Sequence, residues 1–152
     1  MSYPPKLQQI VDLFEMLPDI EKRETLITYA DQAKNQGPRE GELFDLEDVR
    51  KDEECTDTVG VFLKVNPDRT THYRITLGPQ VQTLTKAMTA ILCKGLEGCT
   101  IEQVLEVPAD FVPKIVGADL VRQRSQTVYY ILTRMKSSAT VWRNRDRAAN
   151  LT

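Results

Sequence analysis

The sequence is poor in the residues that usually announce a reaction. It has one histidine, His72, and three cysteines, Cys55, Cys93 and Cys99. A zinc centre wants ligands paired at short spacing, and Cys93 and Cys99 stand six residues apart with no histidine beside them. A cysteine hydrolase needs a base near its thiol, and His72 falls in an outward strand position. The seven glycines are scattered, and neither GxGxxG nor GxxxxGK[ST] occurs, so no phosphate-cradling loop is written here. No stretch approaches the roughly 20 apolar residues of a membrane helix. Met1-Ser2-Tyr3-Pro4-Pro5-Lys6 lacks a basic n-region leading into an apolar run, which leaves the cytoplasm as the default compartment. An odd number of irregularly spaced cysteines is no disulfide framework, and free thiols are expected. The net charge of −2 and pI near 5.5 argue against a nucleic-acid domain driven by bulk charge.

What is present suits one ordinary soluble domain over residues 1–152, with 41% hydrophobic and 28% charged residues. Charge is uneven along the chain. Acidic residues crowd residues 40–57, and arginines crowd the stretch from Arg122 to Arg147. Such asymmetry either orients a partner or marks two solvated faces.

The periodicities predict an α+β fold. Leu7, Ile10, Phe14 and Leu17 have helical spacing over 6–16. Asp19 is expected to cap a second helix over about 20–34, whose stripe is Leu26, Ile27, Ala30 and Ala33. A polar connection over 37–54 is expected to hold at most a short edge strand at Val49–Glu53. Val59, Val61, Leu63 and Val65 alternate, then Asn66-Pro67-Asp68-Arg69 turns, then Thr71, Tyr73, Ile75 and Leu77 alternate: an antiparallel hairpin. Pro79 suits the first turn of a helix over 80–93, with a stripe at Val81, Leu84, Met88, Ile91 and Leu92. Thr100 and Gln103 match a capping box. A short helix over 109–115 and a final helix from about 121 follow, with a frayed Arg-rich tail expected from about 139. Segregated strands and helices imply a small antiparallel sheet packed against several helices.

Cys93 follows Ile91 and Leu92 at a helix end, Cys99 precedes the Thr100 capping box, and both read as buried structural thiols. Cys55 is different. It lies in Asp52-Glu53-Glu54-Cys55-Thr56-Asp57-Thr58, a polar run at the mouth of a strand. Acidic neighbours should disfavour its thiolate by repulsion unless N–H donors or a partner's cations offset them. A thiol that waits for its partner fits this pattern, and so does an inert loop cysteine.

The order of these segments resembles the SufE family, with its paralogue CsdE, over about residues 6–138. The resemblance rests on Leu7-Gln8-Gln9-Ile10-Val11-Asp12-Leu13-Phe14 followed by Leu17-Pro18-Asp19 and a Tyr29-containing helix. It continues with Cys55-Thr56-Asp57-Thr58-Val59 in the place of a Gly-Cys-x-Ser-x-Val signature, the hairpin after it, and the helix Val81–Leu92. The segment from Thr100 to Leu105 and Gln123-Arg124-Ser125-Gln126-Thr127, which echoes Ser-Arg-Ser-x-Gly, complete it. The chain departs from the pattern at Glu54 (for glycine), Asp57 (for serine), Gly60 (for an aromatic), Gly78-Pro79 (for Ser-Asp) and Thr127 (for glycine).

The resemblance implies a sulfur acceptor. Cys55 would take persulfide sulfur from a SufS-like cysteine desulfurase and pass it to a scaffold for iron–sulfur cluster assembly, with no metal or organic cofactor. Arg124 would support the cysteine loop or contact the desulfurase, and Asp57 would contact the partner. The protein would be an accessory and activator of the desulfurase rather than a stand-alone enzyme. The alternative is a regulator that binds the desulfurase without carrying sulfur. A nucleic-acid or acidic-partner binder using the Arg-rich C-terminus is a third reading.

Overall fold

Two prolines start the chain's first helix. In a computed structural model describing residues 3–51, 58–79, 81–117 and 126–150, α1 spans Pro5–Met16. Proline is well placed there, because the first helical N–H has no intrahelical acceptor. Leu7, Val11 and Phe14 are its buried face. Pro18 holds Leu17 extended and itself stands at the N-cap of α2, Asp19–Gln32. Asp19 therefore does not cap α2 as expected. It is the first helical residue and makes no side-chain cap bond, so with Glu21 it acts only through the helix dipole. Leu26 and Ala30 are buried, whereas Ile27, expected on the same stripe, is 49% exposed. A 3-10 turn, Ala33–Gln36, closes this segment before Gly37.

The sheet has three antiparallel strands in the order β1-β2-β3: β1 Leu46–Lys51, β2 Thr58–Val65 and β3 Thr71–Leu77. The edge strand begins at Leu46, three residues before the position expected, because Leu46 pairs with Leu63 and the ladder then runs to Lys51 opposite Thr58. The β2–β3 turn is as the residues predict. Asn66 C=O accepts from Arg69 N–H at 2.8 Å, and Arg69 takes a left-handed φ of 70° that returns the chain into β3. Val59, Val61, Leu63, Tyr73 and Ile75 line the face that meets the core.

That face packs against α3, Thr83–Gly95, and α6, Gln126–Asn150, the latter placed through Ile131, Leu132, Met135 and Ala139. Between them in sequence come α4, Ile101–Glu106, and α5, Phe111–Val116. The Thr100–Gln103 capping box forms in both directions, at 3.2 and 2.9 Å. α3 is not a one-sided helix. It starts at Thr83, after Pro79 rather than with it, and nine of its thirteen residues are buried. α1 and α2 cover the side away from the sheet, so small residues are needed there. At Gly95 a Cβ would stand 3.3 Å from the Leu7 Cα. α6 stays helical through Asn150, past the expected fraying point at about 139. Arg69 lies 5.3 Å from the Trp142 ring centre and 2.8 Å from Asp146, joining the hairpin turn to this end. With the three strands consecutive and α3 and α6 packed on the core face of the sheet, the fold is α+β, as expected.

The outer face of the sheet explains Gly60. Its register partners are Val49 and Thr76. A Cβ here would run into Thr76 Oγ1, stand 2.9 Å from Phe62 Cε2 and 3.1 Å from Val49 Cγ2. Phe62 is held in place by Phe44, ring centres 5.3 Å apart. Gly60→Ala should destabilise the protein by about 1–3 kcal/mol through overpacking, despite alanine's lower unfolded-state entropy. A urea midpoint equal to or above that of the parent would contradict this.

Candidate functional site

The three residues singled out from sequence, Cys55, Asp57 and Arg124, lie outside the described residues. Their flanks are defined. Lys51 and Thr58 are Cα partners in the β1–β2 ladder, so residues 52–57 connect two paired strand ends. Gly78 N–H donates to Thr58 C=O at 3.1 Å, tying the same end of the sheet to the end of β3. Arg124 comes two residues before the first residue of α6.

The strands on either side of the Cys55 connection are gripped by a side chain from the arginine-rich stretch between Arg122 and Arg147. Arg134 on α6 is only 1% exposed. Its Nε donates to Asp48 Oδ2 at 3.2 Å, and Nη2 lies 3.2 Å from the same oxygen. Nη2 also donates to the Asp48 C=O, and Nη1 donates to the Val59 C=O at 2.7 Å. One planar guanidinium thus joins β1, β2 and α6. Arg50 stands 3.4 Å from Asp48 as a second, exposed cation, and the Tyr130 ring lies 5.7 Å from the Arg134 guanidinium. The acidic and basic stretches are therefore not two solvated faces throughout, since a half-buried Asp48 pairs with a buried Arg134. The sequence held a signal for this. Arg134 falls three residues after Ile131 and beside Met135, on the inward side of the helix.

α6 is anchored twice more. Tyr73 O–H donates to Met135 C=O at 2.7 Å, and Lys136 Nζ to Val107 C=O at 2.5 Å. Burial pushes the Tyr73 hydroxyl pKa up and the Lys136 pKa down, because both environments disfavour charge.

Cys93 and Cys99 are the buried thiols expected, 2% and 5% exposed. Burial pushes the Cys93 thiol up to about 12 and the Cys99 thiol up to about 11, with Glu97 adding to both. Neither is suited to nucleophilic work at neutral pH.

His72 is outward in register but not free. Its Nδ1 lies 2.8 Å from Glu97 Oε2 and its Nε2 3.2 Å from Glu42 Oε2. Arg74 Nε stands 3.3 Å from Glu42 Oε1, and its Nη1 donates to Asn35 C=O at 3.2 Å. Burial opposes ionisation of Glu42. The Arg39 N–H, the Arg74 charge and the His72 bond outweigh it and hold the carboxyl below its usual range. This network pins the 37–45 connection across the outer face of the sheet. His72 is thus a structural tie rather than a base aimed at a thiol. At the Thr58–Gly78 end of the sheet an open cleft of about 470 Å³ is lined by Ala30, Lys34, Gly37, Thr76, Gly78 and Lys86.

Among the described residues no helix is long and apolar enough to cross a membrane. A family model described as "SufE: Fe-S metabolism associated domain" matches residues 8–139. The chain is 33% identical over 109 residues to the SufE-like protein 1, chloroplastic/mitochondrial, of Arabidopsis thaliana. That match covers 71% of this chain but spans only 27% of the relative's length. The solution structure of a hypothetical protein from Thermus thermophilus superposes with a TM-score of 0.73 at 27% identity, covering 91% of this chain and 96% of that one. A match over residues 8–139, on a three-stranded antiparallel sheet backed by helices, takes in nearly the whole chain, and the chain belongs to the SufE family.

Proposed function

We propose that this protein accepts sulfane sulfur from a cysteine desulfurase on Cys55 and hands it on for iron–sulfur cluster assembly. The SufE-family match supports the role in Fe–S metabolism, and the elimination of the other thiols supports Cys55 as the residue that carries it. Within the matched residues 8–139 there are three cysteines, and burial holds Cys93 and Cys99 out of thiolate form. Cys55 remains, in the connection between two paired strand ends.

The chemistry is a thiol–disulfide-type exchange. The Cys55 thiolate attacks the terminal sulfur of the desulfurase persulfide. A new S–S bond forms at Cys55 as the old one breaks, and the desulfurase cysteine leaves as its thiolate. The electrons balance without an outside oxidant or reductant. By sequence, Asp52, Glu53, Glu54 and Asp57 stand beside Cys55, and their repulsion would disfavour a resting thiolate unless N–H donors or a partner's cations offset it. A docked partner that brings cations against them would raise thiolate content when the donor is at hand, which limits wasteful oxidation of the free protein. Arg124 and Asp57 are the partner-contacting residues in this reading.

The test is intact-mass spectrometry after incubation with a cysteine desulfurase, free cysteine and pyridoxal phosphate. The parent protein should gain one sulfur atom and Cys55→Ser none. Loading that survives in Cys55→Ser sinks the assignment of Cys55. No loading of the parent, with desulfurase stimulation intact in both proteins, would leave a regulator that binds without carrying sulfur.

A further inference from the structure

We infer that Arg134 is a positioning residue for transfer at Cys55, an inference that rests on the sulfur-acceptor reading. The grip of Arg134 falls on both strands that carry the Cys55 connection. Asp48 lies three residues before Lys51, the last residue of β1, and Val59 one residue after Thr58, the first of β2. The same group belongs to α6, which begins two residues after Arg124. Arg134 is eight residues from the helix start, about 12 Å along a rigid rod. One guanidinium therefore couples the two strands that flank residues 52–57 to the helix that follows Arg124 in sequence.

Stability alone is a poor reason for this arrangement. Apolar residues at both positions 48 and 134 would bury their surface without removing an ion from water, and an ion pair taken out of water often contributes less than such a well-packed apolar pair. What the guanidinium adds is geometry. Its donors lie in a fixed plane, and here they reach a carboxylate and two carbonyls on two strands. A methionine or lysine could not hold all three in one relation. An exchange between two proteins depends on such a relation, because sulfur passes only when the attacking sulfur lines up with the S–S bond of a docked partner.

A small alkylating reagent needs no docked geometry, and this separates positioning from structure. Arg134→Lys, Arg134→Gln and Asp48→Asn are compared with the parent at a temperature where circular dichroism shows each fully folded. Two rates are read: kcat/KM for desulfurase-driven sulfur loading, and alkylation of Cys55 by iodoacetamide. Loading is expected to fall about tenfold in each variant, through kcat. Alkylation is expected to change by less than about twofold. Arg134→Gln combined with Asp48→Asn should lose little more than either alone. Loading at the parent rate in a folded variant overturns the inference, as does an equal fall in loading and alkylation. If Arg134→Gln does not fold, Asp48→Asn and Arg134→Lys decide. If the parent itself takes no sulfur, the acceptor reading fails and this inference with it, a result plainly different from normal parent loading with unaffected variants.

Discussion

In the native protein at pH 8, Cys93 and Cys99 are expected to resist iodoacetamide while the protein stays folded, so that only unfolding exposes them. The thiolate is the reacting species. A free cysteine with a pKa of about 8.5 is roughly a quarter ionised at pH 8. With its thiol pushed up to about 12, Cys93 holds on the order of one part in 10⁴ as thiolate. Cys99, at about 11, holds on the order of one part in 10³. Those fractions alone slow alkylation by about 10³-fold and 10²-fold, before the reagent's exclusion from sites 2% and 5% exposed is counted. Labelling of these two cysteines should therefore follow the opening equilibrium and rise steeply with urea. Peptide mapping after a timed pulse checks this. Rapid labelling of either residue without denaturant would show a native state more open than the structure, and would remove the elimination argument for Cys55.

Asp48→Ala is expected to destabilise the protein more than Arg134→Met, although both break the same ion pair. The two partners differ in what each leaves behind. Without Asp48 the guanidinium, 1% exposed, keeps the Val59 and Asp48-position carbonyls but has no counter-charge. A buried unpaired charge is among the costliest defects a core can hold, and about 2–4 kcal/mol is expected after crediting the two carbonyls. Without Arg134 the Asp48 carboxylate is one-third exposed, can rehydrate, and still has Arg50 at 3.4 Å. Methionine refills most of the volume, so about 1–2 kcal/mol is expected. For a chain of this size, about 3 kcal/mol corresponds to a fall in Tm of roughly 6–12 °C. Urea melts with unchanged m-values provide the comparison. If Arg134→Met proved the more destabilising, the guanidinium would be bound chiefly by its carbonyls rather than by the carboxylate.

Much of the fold could be read residue by residue. The β2–β3 hairpin was legible because its signals agree: strict alternation on both strands, and a turn at Asn66–Arg69 suited to a left-handed Arg69. The capping box at Thr100 was legible because both of its bonds are local. Errors fell where distant contacts decide. β1 begins at Leu46 because Leu63 is there to pair with it, and no local propensity marks that start. α3 reads as a one-sided amphipathic helix, yet α1 and α2 close over its other side, which the small residues Ala87, Ala90 and Gly95 permit. α6 stays helical beyond 139, where its own polarity suggests fraying, in company with contacts from Arg69 to Trp142 and Asp146.

The candidate site divides along the same line. Sequence by itself determined the family pattern, the α+β class, and the contrast between one thiol in an acidic run and two outside it. Those are properties of residue type and order, and they need no partner from elsewhere in the chain. Tertiary structure decided what Arg134 does, since its inward place on the helix names no partner. In the sequence it is one more arginine in a basic helix. In the fold, 86 residues from Asp48, it becomes a buried charge joining two strands to a helix. His72 changed in the same way, from an outward strand residue to the bridge between Glu42 and Glu97. The physical reason is common to both. A charge's energy depends on how far it is removed from water and on which opposite charges meet it there, and folding sets both.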